Sequence, residues 1–307
     1  MRLVKSLLAL IVVVAGGIAI YGALYQPTAD LPAGLQGSFI DIDGLRTRYV
    51  QAGSGPDVLL IHGSPGSVED WAPVIDLLSP QFRVTAYDRP GNGYTDTGAK
   101  SDYDFNADFA GSLIGKLGLH DVVVAGHSFG GTTALALGVR HPQAVKSIVV
   151  VDSATYVWAR KQDPIYHALV VPYFGIGLAR LAAPFIAPKK VRAGLEAIFP
   201  GGVIPAGFAE KRIPIWSQPK VSVEAARESL GAAEQLVALS PRYQEITRPV
   251  FVIAQGDDPR RRENAERLHQ DVAGSELEFV TGTGHYVQFA KPDVVAGLIR
   301  KAAAIAK

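Results

Sequence analysis

The chain has 307 residues, 48% of them hydrophobic and 19% charged, with 30 Lys and Arg against 29 Asp and Glu for a formal net charge of +1. This balance suits an ordinary globular protein with a sizeable core and lacks the basic excess of a nucleic-acid binder, so no nucleic-acid partner is expected. Cysteine is absent, which excludes disulfides, thiolate metal sites and thiol nucleophiles.

Arg2 and Lys5 precede an uncharged stretch from Ser6 to Ala29, whose apolar part runs from Leu7 to Leu24. A bilayer is crossed by about 20 such residues, so residues 1–26 read as a single-pass transmembrane anchor. The alternative is a cleaved signal peptide, with an apolar region of about 7 to 15 residues and a small-x-small site such as Gly17-Ile18-Ala19. Positive charge before the apolar run keeps that end cytoplasmic and puts the folded domain on the non-cytoplasmic side; cleavage would yield a secreted protein instead. Pro27, Pro32, Gly34 and Gly37 make residues 27–37 a short linker.

Ile40 to Gln51 alternates apolar and polar residues around Asp43-Gly44, the pattern of a hairpin of two antiparallel strands. Short apolar runs follow at Val58 to Ile61, Phe82 to Tyr87, Val122 to Ala125, Ile148 to Val151, Val250 to Ala254 and Leu277 to Val280. Runs of this kind, separated by helix-like stretches, predict an α/β fold: a mainly parallel sheet buried on both faces by helices, with functional residues at the carboxyl ends of its strands. Residues 155–247 interrupt the rhythm. No buried strand reads there, but helical patterns do, at Val191 to Phe199 and Val223 to Leu239, divided by proline-rich stretches. The interval is too long for a loop and is expected to be a helical cap over the strand ends, splitting the core into 38–154 and 248–307; the alternative is an independent second domain.

After the third of these runs comes Gly126-His127-Ser128-Phe129-Gly130-Gly131, followed by a helix-forming stretch. A strand turning abruptly into a helix strains its turn residue and admits only small residues two positions to either side, here Gly126 and Gly130. The turn raises the Ser128 hydroxyl above the sheet at a helix N-terminus that favours negative charge, a nucleophile elbow; taken alone, it is also readable as an ordinary glycine-rich turn.

Polar residues follow the other strands as well. His62-Gly63-Ser64-Pro65-Gly66 and Asp88-Arg89-Pro90-Gly91-Asn92-Gly93 follow the first two, Asp258 comes after Val250 to Ala254, and Gly282-Thr283-Gly284-His285 follows the last. With these motifs in this order the chain resembles the α/β-hydrolase family, in its serine-nucleophile branch with a helical cap, from about Ser38 to Lys307. The resemblance implies a catalytic triad in chain order Ser128, Asp258, His285, and an oxyanion hole made by the backbone N–H groups of Ser64 and Phe129. The acid stands in Gln255-Gly256-Asp257-Asp258-Pro259, where the family commonly has glycine at the place of Gln255; Asp257 is the adjacent rival and Asp152, ending Val150-Val151-Asp152, a more remote one. Three arginines after Pro259 depart from the family pattern and would lower the proton affinity of a nearby carboxylate. His62 and His127 read as structural support, and His120, His141, His167 and His269 have no supporting context.

Neither GxGxxG, GxxxxGK[ST] nor HExxH occurs, so no nucleotide, metal or other cofactor is expected. The resulting expectation is a membrane-anchored serine hydrolase that cleaves an ester or similar acyl bond of a small-molecule substrate through an acyl-enzyme. Carbon–carbon bond hydrolysis, lactone opening, acyl transfer and perhydrolysis stay open with the same triad, as does a catalytically silent membrane-anchored binding protein. Cap aromatics, among them Trp158, Tyr166, Tyr173, Phe174, Phe185, Phe199, Phe208 and Trp216, favour a hydrophobic substrate or simply pack the cap.

Overall fold

The computed structural model describes residues 2–27, 31–32, 34–158 and 162–305; within the expected linker, 28–30 and 33 lie outside the described residues. Strands β1 (Ser38–Ile42) and β2 (Leu45–Ala52) form the antiparallel hairpin. Its turn needs positive φ, which Asp43 (52°) and Gly44 (81°) supply. The series continues with β3 (Asp57–Ile61), β4 (Arg83–Tyr87), β5 (Val122–His127), β6 (Val145–Val151), β7 (Val250–Gln255) and β8 (Glu276–Val280). Together they make one sheet in the order β1-β2-β4-β3-β5-β6-β7-β8, parallel from β4 onward.

The helices are α1 (Arg2–Ala23), α2 (Ala72–Leu78), α3 (Tyr103–Lys116), α4 (Phe129–Arg140), α5 (Ile165–Leu169), α6 (Phe174–Ile198), α7 (Phe208–Trp216), α8 (Pro219–Leu239), α9 (Pro259–Asp271), α10 (Val287–Ala290) and α11 (Pro292–Ala304). Alternate residues of each central strand point to opposite faces, and both faces are covered. Val122 and Val124 of β5 pack with Phe109 and Leu113 of α3 and Leu135 of α4, whereas Val123 and Ala125 pack with Val74 of α2 and Val295 and Ile299 of α11. This is why those strands read as unbroken apolar runs.

From β3 the chain moves out to β4, returns to the other side of β3 for β5, and then proceeds to β8. The order reverses between β3 and β5, so a crevice opens at their carboxyl ends, where His62-Gly63-Ser64 and Ser128 stand. Between β6 and β7 the described residues hold α5 to α8 and no strand. Helix α6 begins well before the expected Val191 and runs through Pro184 and Pro188. Packing against α1, α7 and α8 maintains it past the backbone bonds that proline cannot make. Helix α8 closes on the core, with Leu236 and Leu239 joining the α3–α4 side. Near the N-terminus, α1 is long and apolar enough to be a membrane span or a signal sequence, with mean hydropathy 2.5.

Candidate active site

Ser128 alone makes the turn from β5 into α4, at φ 55° and ψ −121°. A non-glycine residue there costs about 1–3 kcal/mol and persists only where its surroundings impose it. They do: a Cβ on Gly126 would collide with the Gly130 carbonyl, one on Gly130 with the Ile61 carbonyl, and the Ser128 N–H donates to Val151 O of the neighbouring strand at 3.0 Å. Strand and helix can approach this closely only across glycine.

The turn after β3 lies beside the serine, since a Cβ placed on Gly63 would sit 3.0 Å from Ser128 Cβ. Its backbone is braced from below. His62 Nε2 accepts the Arg89 N–H at 2.9 Å, which leaves Nδ1 to donate to Gly63 O at 2.8 Å. Complete burial, helped by the Arg89 charge, pushes His62 well below the ordinary histidine range and keeps it neutral, as that tautomer requires. The Arg89 guanidinium donates to Gly63 O (2.8 Å) and His62 O (3.1 Å) and lies 4.4 Å from the centre of the Phe129 ring. Gly63 C=O and Ser64 N–H belong to one peptide unit, so Arg89 orients and polarises the amide expected to donate to an oxyanion. Arg89 is held in turn by Glu228 of α8 at 2.5 Å, with both side chains buried.

His285 follows β8 in a glycine-flanked loop. Gly284 takes φ 59° and lies so close to α6 that a Cβ would strike Ile198 O, the carbonyl that also receives the His285 N–H at 3.0 Å. His127 Nε2 donates to His285 O at 2.9 Å, and the two rings are 4.5 Å apart. The carboxylate beside the imidazole is Asp152, whose Oδ2 accepts from His285 Nδ1 at 2.7 Å. Asp152 directly follows β6 at φ 45°, is buried, and also receives the Gln255 N–H on Oδ1 at 3.1 Å and Arg261 Nη1 on Oδ2 at 3.0 Å. Burial pushes its carboxyl up to about 6, with the Arg261 charge opposing.

The expected acid, Asp258, is elsewhere. It caps α9, its Oδ1 accepting the Arg260 N–H at 2.9 Å while its carboxylate pairs with the Arg260 guanidinium at 3.1 Å, which holds it below the usual range. The reason is local. Gln255 continues β7 to its last residue, and its side-chain Oε1 accepts the N–H groups of Asp257 and Asp258, so the turn commits Asp258 to opening the next helix. Asp257 accepts the Gly282 N–H at 2.7 Å instead. Of the arginines after Pro259, Arg260 serves Asp258 and Arg261 reaches Asp152. Asp152, the more remote alternative in the sequence, is the carboxylate the structure brings to His285, and Glu228, which no local signal marks, is brought to Arg89.

Ser64, Ser128 and Phe129 line one cavity of about 200 Å³, closed by Tyr103, Tyr156, Trp158, Tyr166, Leu236 and Glu228. Of the cap aromatics, Trp158 and Tyr166 thus face the cavity, whereas Phe199, Phe208 and Trp216 pack together with Tyr286 beside it.

Comparison with known proteins identifies the family and the fold. A family model described as the alpha/beta hydrolase family matches residues 58–298. The chain is 27% identical over 274 residues to 2-(acetamidomethylene)succinate hydrolase of Mesorhizobium japonicum, covering 83% of this chain and 90% of that one. Among solved structures, the esterase EaEST from Exiguobacterium antarcticum superposes with a TM-score of 0.70 at 22% identity, covering 88% of this chain and 100% of that one. A membrane phospholipase A, described as a bacterial virulence factor, superposes with a TM-score of 0.66 at 24% identity, covering 97% and 91%.

Proposed function

The chain belongs to the alpha/beta hydrolase family and is a hydrolase, and from that premise we propose that it cleaves a neutral carboxylic ester through an acyl-enzyme on Ser128, with His285 as base and Asp152 as the acid. The observation that carries this reading is the 2.7 Å contact between His285 Nδ1 and a buried Asp152 that directly follows the strand next to the elbow. Ser128 Oγ attacks the ester carbonyl as His285 Nε2 takes its proton, and the imidazolium is stabilised by Asp152. The N–H groups of Ser64 and Phe129 receive the oxyanion, each contributing about 2.7–4 kcal/mol to the transition state. His285 returns the proton to the departing alcohol, then activates a water that releases the acid.

Aromatic and aliphatic walls favour an apolar acyl group, and the cavity is smaller than the roughly 300–1,000 Å³ of common ligand pockets, which limits that group to short or medium length. Among the described lining residues the one charged side chain, Glu228, is neutralised by Arg89, so none of these described residues attracts a substrate carboxylate. Helix α1 serves as an uncleaved anchor, with its Arg2 and Lys5 end in the cytoplasm and the catalytic domain on the other side. Labelling of the full chain with a fluorophosphonate, lost in both Ser128→Ala and His285→Ala, is the expected result; labelling that survives Ser128→Ala refutes the mechanism. Alkaline carbonate extraction should leave the protein in the membrane fraction.

A further inference from the structure

We propose that the cap itself docks on the lipid bilayer, with the first turns of α6 immersed in the leaflet that faces the catalytic domain. The inference rests on the anchor reading of α1 and extends it to a second element.

Helices α1 and α6 cross with their backbones in close approach. A Cβ on Gly22 would strike Tyr173 O and one on Gly177 would strike Ile18 O, so glycine on both sides permits the crossing, as in helices that pair within membranes. Arg180 of α6 donates to Tyr21 O and stacks over the Tyr21 ring at 3.8 Å. Before the crossing, residues 2–17 of α1 are exposed apart from the half-buried Ala15. At 1.5 Å per residue that free portion is about 24 Å long, short of the roughly 30 Å hydrocarbon core. A bilayer crossed by α1 must therefore also take in Ile18 to Gly22. This holds wherever the span of about 20 residues is set, whether it starts after Arg2 and covers 3–22 or after Lys5 and covers 6–25. Whatever is fastened to α1 at Ile18 to Gly22 lies at bilayer depth, and that is the start of α6.

What α6 and the residue before it expose there is apolar: Tyr173 is 65% exposed, Leu181 48%, Phe185 77% and Ile186 50%. A monomer in water has no use for such a set, whereas a bilayer covers it at once. The face also connects to the site. Tyr166, a wall of the cavity, is on α5, which leads through Val171 into α6.

Because the chain has no cysteine, single-cysteine variants of the full protein test this directly. Phe185→Cys and, as a second reporter, Leu181→Cys carry an environment-sensitive nitrobenzoxadiazole dye; Val13→Cys marks the span and Leu77→Cys, an exposed position of α2, the aqueous reference. In phosphatidylcholine–phosphatidylglycerol vesicles, doxyl-labelled phosphatidylcholine should quench the probes at 185 and 181 to within about twofold of that at 13, and leave the one at 77 unaffected. Quenching at 13 with none at 185 and 181 leaves the anchor intact and overturns the docking. Absence of quenching at 13 overturns the anchor reading and the docking together, without touching the serine-hydrolase assignment, which the fluorophosphonate reports separately. A second copy covering the patch would appear as energy transfer between chains labelled at 185, abolished by excess unlabelled protein and without lipid quenching, and it too overturns the docking.

Discussion

Asp152→Asn separates the two candidate acids most sharply. In the wild type, Asp152 Oδ1 accepts the Gln255 N–H while Oδ2 accepts from His285 Nδ1 and Arg261. An asparagine has one oxygen for these two positions. If its amide nitrogen faces Gln255, it meets a strand N–H that cannot move, so the oxygen takes that place and the NH₂ turns to His285 and Arg261. Arg261, on the first turn of α9 and still partly exposed, can withdraw. The NH₂ then donates to Nδ1, forces the proton onto Nε2, and removes the base that Ser128 needs. A comparable wrong-tautomer substitution in a serine protease triad lowers kcat about 10⁴-fold, which corresponds to about 5.4 kcal/mol at 1.36 kcal/mol per factor of ten. The assay is hydrolysis of p-nitrophenyl butyrate by the full chain in detergent, with thermal unfolding of each variant as the fold check. Asp258→Asn, which keeps an oxygen to accept the Arg260 N–H and removes only an ion pair with an exposed arginine, should keep kcat within a factor of about three and cost no more than about 1 kcal/mol of stability. If Asp152→Asn keeps kcat within tenfold and Asp258→Asn loses it, the assignment of Asp152 is wrong.

The same carboxyl sets a pH dependence. Its value in the folded state, about 6, lies above the ordinary 3.8, so its ionisation opposes folding as pH rises through that window, while activity needs the ionised form; kcat/KM should therefore fall as pH drops below about 6. Glu228→Gln leaves the Arg89 cation without its buried counter-charge and loosens the Gly63–Ser64 amide; kcat should fall by up to about 10²-fold with little change in KM, and an unchanged kcat would detach the cap from the oxyanion turn. Glu224, buried in α8 beside Glu228, is pushed up to about 8 by desolvation first and its like-charged neighbour second. The folded state then binds the extra proton between its ordinary value of 4.5 and about 8, so stability falls as pH rises there, with a slope approaching about 1.4 kcal/mol per pH unit. Glu224→Gln should flatten that slope in urea unfolding measured at pH 5, 7 and 9, and parallel curves for the two proteins would refute the burial argument.

Local patterns in the chain determined a good deal. Unbroken apolar runs such as Val122 to Ala125 imply strands covered on both faces, because only such strands need no polar side. Gly126 and Gly130 flank Ser128 because strand and helix touch there, and Gly284 precedes His285 because α6 lies against it. These are contacts of a residue with its own surroundings, and composition at a few neighbouring positions reports them. The proposed acid, Asp152, is different. Asp152 and Asp258 both follow buried strands, and nothing nearby in sequence tells one from the other. The choice depends on β6 lying next to β5, one strand nearer the serine than β7, and on Gln255 prolonging β7 until Asp258 becomes a helix cap. Glu228 lies 139 residues from the Arg89 it neutralises, and the crossing of α1 with α6 pairs two glycines that in sequence are merely two of 32. Such pairings depend on how separately legible elements come together, and the free energy that selects among them is a property of the assembled core and cap.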